Sequence, residues 1–240
     1  MSYAKLILVI DMNKIKNIIN VKNLIYFFIV LFLFLTLDYF LLSGCYSLNI
    51  IDKSNKIVGI TCIILKYIIL IGIFIFQYHE YLKDKWIDFR KNFKKYFMIS
   101  FKYWFLGFII MILSNTIINY FFKGLGRNEE NVQLLIKNIP LIAFFLTSFF
   151  APIVEEMIFR KYLQDSIKNK TFYMIISGLL FGLVHVMGYD NYLEYLLIIP
   201  YGVLGFMFAK IINETDNIYN AIMMHMLHNG FLTLLAIWVV

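Results

Sequence analysis

Charge is scarce in this chain. Asp, Glu, Lys and Arg make up 15% of its 240 residues, against 61% hydrophobic. A soluble domain of this length needs more charge on its surface, so the balance excludes an ordinary soluble fold and points to lipid as the solvent. Cysteine is limited to Cys45 and Cys62, in no CxxC pattern, which implies neither a disulfide framework nor a zinc–thiolate site. Proline has only three copies, which leaves little to interrupt long helices. Acidic residues are outnumbered by basic ones, 15 to 22, for a net charge of +7. That excess does not mark a nucleic-acid binder, because the positive residues are spread over short segments between apolar runs, as a topology signal would be.

What is abundant is apolar sequence in lengths that suit a bilayer. About 20 apolar residues cross the hydrocarbon core as a helix. Seven such stretches occur, at 24–42, 57–76, 97–121, 139–159, 172–187, 192–212 and 218–239. The fifth is short and the fourth contains Pro152. Tyr and Phe, with 17 and 25 copies, suit the membrane interface and the lipid-facing or core positions. The segment 122–138 reads as the main loop, with Gly124, Gly126, Arg127, Glu129 and Glu130. Residues 1–23 hold only a short apolar stretch and no small-residue cleavage site. They read as a basic, partly amphipathic lead-in at the membrane surface. The expected fold is therefore all-α, a polytopic transmembrane bundle of about seven spans, or eight helices counting the N-terminal amphipathic segment, in a single integral membrane domain over 1–240.

With the N-terminus placed in the cytoplasm, the inside segments hold fifteen Lys and Arg residues and the outside loops hold five, with Lys66 and Lys102 inside spans. A multi-pass protein of the cell membrane with a cytoplasmic N-terminus is expected from this bias.

Ionisable side chains at membrane depth are costly, and they mark function by default. They concentrate in the second half of the chain. Glu155 and Glu156 are adjacent, so on a helix they point about 100° apart. Glu156 and Arg160, at i and i+4, can pair on one face. Glu155 then stays available for proton transfer, although a solvated charge cluster at a helix end would have the same sequence. In the fifth span Gly178 and Gly182 form a small-xxx-small pair that admits a neighbouring helix, and His185 lies two turns on, after Phe181. In the last span His225 and Asn229 share a face, with His228 in reach of it. Each histidine alone reads as well as a hydrogen-bonded core residue. His79, between Tyr78 and Glu80, reads as an ordinary boundary residue.

Taken in order, Glu155-Glu156-x-x-x-Arg160, Phe181-x-x-x-His185 and His225-x-x-x-Asn229 resemble the motif series of the CAAX prenyl protease and bacteriocin-processing (Abi) family of intramembrane proteases. The resemblance covers about 140–232. It implies an endopeptidase that hydrolyses a peptide bond in a membrane-associated peptide or protein. By position, Glu155 resembles the family's general base, His185 and His225 the residues that polarise the water or bind zinc, and Asn229 the oxyanion stabiliser. Arg160 resembles the structural partner of Glu156, and His228 has no motif role beyond a supporting contact. The family's metal dependence leaves two forms open: zinc on Glu155, His185 and His225, or a metal-free carboxylate base. The rival expectation is a non-catalytic membrane immunity or peptide-binding protein. A straight-helix estimate places Glu155 and His225 closer to the cytoplasmic ends of their spans than His185, which is about 20 Å from the start of its own, so the three are not expected to be level.

Overall fold

The computed structural model describes residues 18–47, 56–121, 126–188 and 192–239. Its helices are α1 (Val21–Ser47), α2 (Lys56–Lys91), α3 (Phe93–Phe121), α4 (Arg127–Asn138), α5 (Pro140–Ser166), α6 (Lys170–Val186), α7 (Ile198–Thr215, led in by a 3₁₀ turn over Tyr192–Leu197) and α8 (Ile218–Val239). Six are long and apolar enough to cross a membrane, and α6 is a shorter apolar helix. Helices suit this composition because each satisfies its own backbone polar groups, which lipid cannot do. The chain is a multi-pass helical membrane protein. Most of the N-terminal lead-in, residues 1–17, lies outside the described residues.

Burial separates scaffold from core. In α1, α2 and α3 no more than 17% of the apolar window is buried inside the bundle, whereas in α5 half of it is. The bundle is therefore organised around α5. α2 is far longer than the 57–76 stretch. At Tyr78 its backbone leaves helical geometry (φ −125°, ψ 19°), and beyond this kink it carries Lys83, Lys85, Arg90 and Lys91. The hydropathy boundary thus marks a bend and not a helix end. Lys66, at membrane depth, forms an ion pair with Asp38 of α1 at 3.2 Å. His79 is exposed beside Glu80.

The segment 122–138 departs from the loop expected there. Residues 127–138 form α4, and 122–125 lie outside the described residues. The helix has a simple basis: Glu129 and Glu130 in its first turn and Lys137 in its last complement the helix dipole. Val132, Leu135 and Ile136 make an apolar face. Low average hydropathy hid that face from a reading tuned to full spans.

α6 and α7 approach closely through glycine. A Cβ on Gly178 would lie 2.7 Å from the carbonyl oxygen of Gly202, and one on Gly182 would lie 2.6 Å from that of Ile198. The small-xxx-small pair thus does what its spacing implies. After α5, residues 18–20 and 166–168 run antiparallel, with Asn20 N–H donating to Ser166 O at 2.7 Å and Lys168 N–H to Ile18 O at 2.8 Å. Asp216 ends α7 in the left-handed conformation (φ 48°). The side chain of Asn217 donates to Lys85 O at 2.7 Å and to Asp88 at 2.9 Å, tying the α7–α8 turn to the end of α2.

Candidate active site

The site begins with an irregularity in α5. Two π-helical turns, Leu146–Phe150 and Met157–Tyr162, flank the short α-helical stretch Ala151–Glu156 that carries both glutamates. In the first of them Ala151 N–H reaches back five residues to Leu146 O. The next residue in that register is Pro152, which has no N–H to offer Thr147 O. Asn229 of α8 takes the freed acceptor, donating from Nδ2 to Thr147 O at 2.9 Å. In the second π turn the hydroxyl of Ser177 on α6 donates to Phe159 O at 2.7 Å. Helix irregularities of this kind persist where neighbours satisfy the backbone groups they free. Here they dock α8 and α6 on either side of Glu155 and Glu156.

The two carboxylates point to different partners, as their 100° separation requires. Glu156 is fully buried and forms an ion pair with Arg160, also fully buried, at 3.0 Å. The guanidinium lies over the rings of Phe181 and Phe208, 4.7 and 5.6 Å from their centroids. These contacts suit a cation cut off from water. Glu156 also has a second partner: its Oε1 lies 2.9 Å from Nδ1 of His225. Sequence reasoning paired Glu156 only with Arg160, and no sequence spacing signals the contact with α8.

Glu155 faces the cavity. Its Oε2 lies 3.9 Å from His185 Nε2 and 3.8 Å from His225 Nε2. His185 Nδ1 is 2.7 Å from the carbonyl oxygen of Phe181, one turn back on α6. A carbonyl only accepts, so Nδ1 carries the proton and Nε2 of the neutral ring presents a lone pair. A Glu156 carboxylate that is paired with Arg160 fixes His225 in the same tautomer. Three acceptors, one carboxylate oxygen and two imidazole nitrogens, therefore converge on one spot. Such an arrangement attracts a proton donor or a cation. The rings are held by stacking, His185 on Tyr201 at 4.6 Å and His225 on Phe208 at 4.8 Å. Phe181 packs edge-on against His225 at 5.6 Å.

The expected difference in depth does not keep these residues apart. α5 continues to Ser166 and not to 159, so Glu155 lies eleven residues from its end. His185 is near the last turn of α6, fifteen residues from its start. Bundle packing and the two π turns bring the residues together.

Glu155, His185, His225, His228 and Asn229 line one cavity of about 600 Å³, with Thr147, Tyr201 and Thr233. His228 accepts from Trp104 Nε1 at 3.4 Å and meets the ring of Phe108, so it is a wall residue anchored to α3. Thr147 and Thr233 share a hydrogen bond at 3.0 Å beside Asn229. Tyr201, whose hydroxyl accepts from Asn128 of α4 at 3.3 Å, was not singled out by sequence, since a tyrosine near a span end reads as an interface residue. Among the described residues no three His, Cys, Asp or Glu side chains form a ready-made metal site. The two Nε2 atoms and Glu155 match zinc in donor type, with separations wider than a closed coordination shell.

Residues 137–231 match the family described as type II CAAX prenyl endopeptidase, Rce1-like. YdiL of Bacillus subtilis (strain 168), named as a membrane peptidase, is 34% identical over 140 residues, 55% of this chain and 54% of YdiL. The membrane-embedded CAAX protease MroQ of Staphylococcus aureus (strain USA300) is 26% identical over 140 residues, 54% of this chain and 55% of MroQ. The UPF0177 protein YxdF of Lactococcus lactis is 30% identical over 122 residues, 51% of this chain and 63% of YxdF. The chain spans about half the length of the first of these relatives. No solved structure matches it significantly. The matched residues take in all three motifs, and Glu155, His185, His225 and Asn229, which line one cavity, all fall within them.

Proposed function

We propose that this chain is an intramembrane endopeptidase that cleaves a membrane-associated peptide or protein with water activated by Glu155. The observation that carries the reading is the meeting of Glu155 Oε2 with the Nε2 atoms of His185 and His225, 3.8–3.9 Å away, in a cavity that also holds Asn229. Glu155 is 8% exposed, enough to face the cavity while most of the carboxylate is out of water. In this reading a water that donates one hydrogen to Glu155 and the other to one of the two imidazoles loses a proton to Glu155 as its oxygen attacks the scissile carbonyl. The negative charge that develops on the carbonyl oxygen is met by Asn229, whose carboxamide is pinned by Thr147 O and so needs no reorganisation. The proton on Glu155 then passes to the leaving amine as the C–N bond breaks, which restores the carboxylate.

The metal-assisted form of this reading would hold zinc on Glu155, His185 and His225, where it would polarise the water. Both Nδ1 atoms are already tied down, which suits ligand histidines. Glu155 would then be a ligand, and Glu156 is committed to Arg160 and His225, so no adjacent carboxylate remains to act as base. The base role for Glu155 is the simpler use of these residues. A cytoplasmic N-terminus, and membrane-bound precursors as substrates, belong to the same proposal.

The test is Glu155→Gln in purified protein. The change keeps shape and removes the base. Cleavage of a membrane-peptide substrate should fall by a factor of about 10²–10⁴ with the unfolding temperature unchanged. Cleavage at the original rate would remove Glu155 from the mechanism.

A further inference from the structure

The cavity does not end at the catalytic cluster. Asn115 and Asn119 of α3, and Asn128, Glu129 and Asn131 of α4, continue its wall. All five precede residue 137, where the match to the family begins, so that match says nothing of them. Four of the five are carboxamides. Each carboxamide offers two donor hydrogens and an acceptor oxygen, the complement of the N–H and C=O of an extended peptide. Among the described side chains that line the cavity, the acidic ones are Glu129 and Glu155, and no Lys or Arg is present. A recess with charge of one sign favours the opposite charge and rejects its own. Glu129 sits in the first turn of α4, where the helix dipole favours a carboxylate.

The place of this wall relative to the chemistry follows from one chain of contacts. Tyr201 stacks on His185 with ring centroids 4.6 Å apart, and its hydroxyl accepts from Asn128 at 3.3 Å. Adding the width of the tyrosine and one helix step, Glu129, the next residue, lies on the order of 10–15 Å from the His185 imidazole. An extended chain covers that distance in about three to five residues.

We propose that the wall formed by α4 and the end of α3 is a substrate cleft for an extended peptide, in which Glu129 pairs with a lysine or arginine side chain about three to five residues from the scissile bond. The register relative to the scissile bond rests on the endopeptidase reading, whereas the charge preference is a binding property and does not require cleavage.

The experiment measures binding in the full chain carrying Glu155→Gln, held in detergent, with Glu129 as the sole acidic side chain on the described wall. The probes are fluorescently labelled short Ala/Leu peptides in which a single Lys, Gln or Glu is walked along the sequence, read by fluorescence anisotropy. At one stretch of positions the Lys peptide should bind at least about tenfold tighter than the Glu peptide. Adding Glu129→Gln should remove the gap and Glu129→Lys should invert it. Equal affinities at every position, or a gap that survives Glu129→Gln, would overturn the proposal. The same peptides offered to the chain with Glu155 intact separate the two readings. A charge preference in binding without any cleavage removes the endopeptidase reading and leaves the cleft. Cleavage indifferent to charge removes the cleft and leaves the endopeptidase.

Discussion

Glu156 Oε1 lies 2.9 Å from Nδ1 of His225, across 69 positions of sequence, while the other oxygen of the same carboxylate is paired with Arg160. One buried carboxylate thus neutralises a cation and orients an imidazole. The two roles separate by substitution. Glu156→Ala strands Arg160, which is fully buried, and should destabilise the protein by about 3–5 kcal/mol. Glu156→Leu combined with Arg160→Met removes both charges and should regain most of that stability. Activity should not return with it, because His225 Nδ1 then has no acceptor to fix its tautomer. Denaturant unfolding in detergent and peptide cleavage, measured on the same samples, decide the matter. A double variant that cleaves normally would reduce Glu156 to a structural partner of Arg160.

Asn229 makes a second separation possible. Its bond to Thr147 O is a structural contact worth about 1 kcal/mol, whereas a donor aimed at a developing oxyanion is worth about 2.7–4 kcal/mol of barrier. Asn229→Ala leaves Thr147 O without that donor, which should cost about 1–3 kcal/mol of stability, and it should lower kcat by about 10²–10³ with KM nearly unchanged. A fall confined to KM would assign Asn229 to ground-state binding.

The membrane bundle was legible because its cause is local: about 20 apolar residues in a row report a span whatever they pack against. The motif residues were legible too, since Glu155, His185, His225 and Asn229 stand out as polar groups in apolar runs. Their meeting point was not. Span-based depth placed His185 at a different level from Glu155, because π turns and helix packing leave no mark in hydropathy. Pro152 was visible as an interruption, but its consequence, a carbonyl at Thr147 that Asn229 takes, depends on the register of the turn before it. α4 was missed for a related reason. Its apolar face is three residues on a polar helix, and the cavity it covers exists only once α3, α5 and α8 are assembled.

Metal removal discriminates between the two forms of the proposed chemistry. With Glu155 as the base, protein treated with a zinc chelator and then freed of it should retain its cleavage rate, and added zinc should not raise it. Elemental analysis of the unaltered chain and of His185→Ala should give the same zinc content. Loss of activity on chelation that zinc restores, together with a zinc content that falls in His185→Ala, would make Glu155, His185 and His225 ligands and would require another group to carry the proton.

The close contact of α6 with α7 sets where His185 stands, and its glycines make that testable away from the chemistry. The Cβ of Gly178→Ala would lie 2.7 Å from Gly202 O and 3.0 Å from Phe206 N, both backbone atoms that cannot turn aside. The helices must separate, at a cost of about 1–3 kcal/mol. Because α6 also carries His185, separation draws Nε2 away from Glu155 Oε2, which is already 3.9 Å distant. Gly178→Ala should thus lower both the unfolding temperature and kcat. Gly72→Ala on α2, with nothing within 4 Å of its new Cβ, is the matched control. It should stabilise the helix by about 0.5–1 kcal/mol and leave cleavage unchanged. Equal effects at the two positions would mean that the α6–α7 contact does not hold His185 in place.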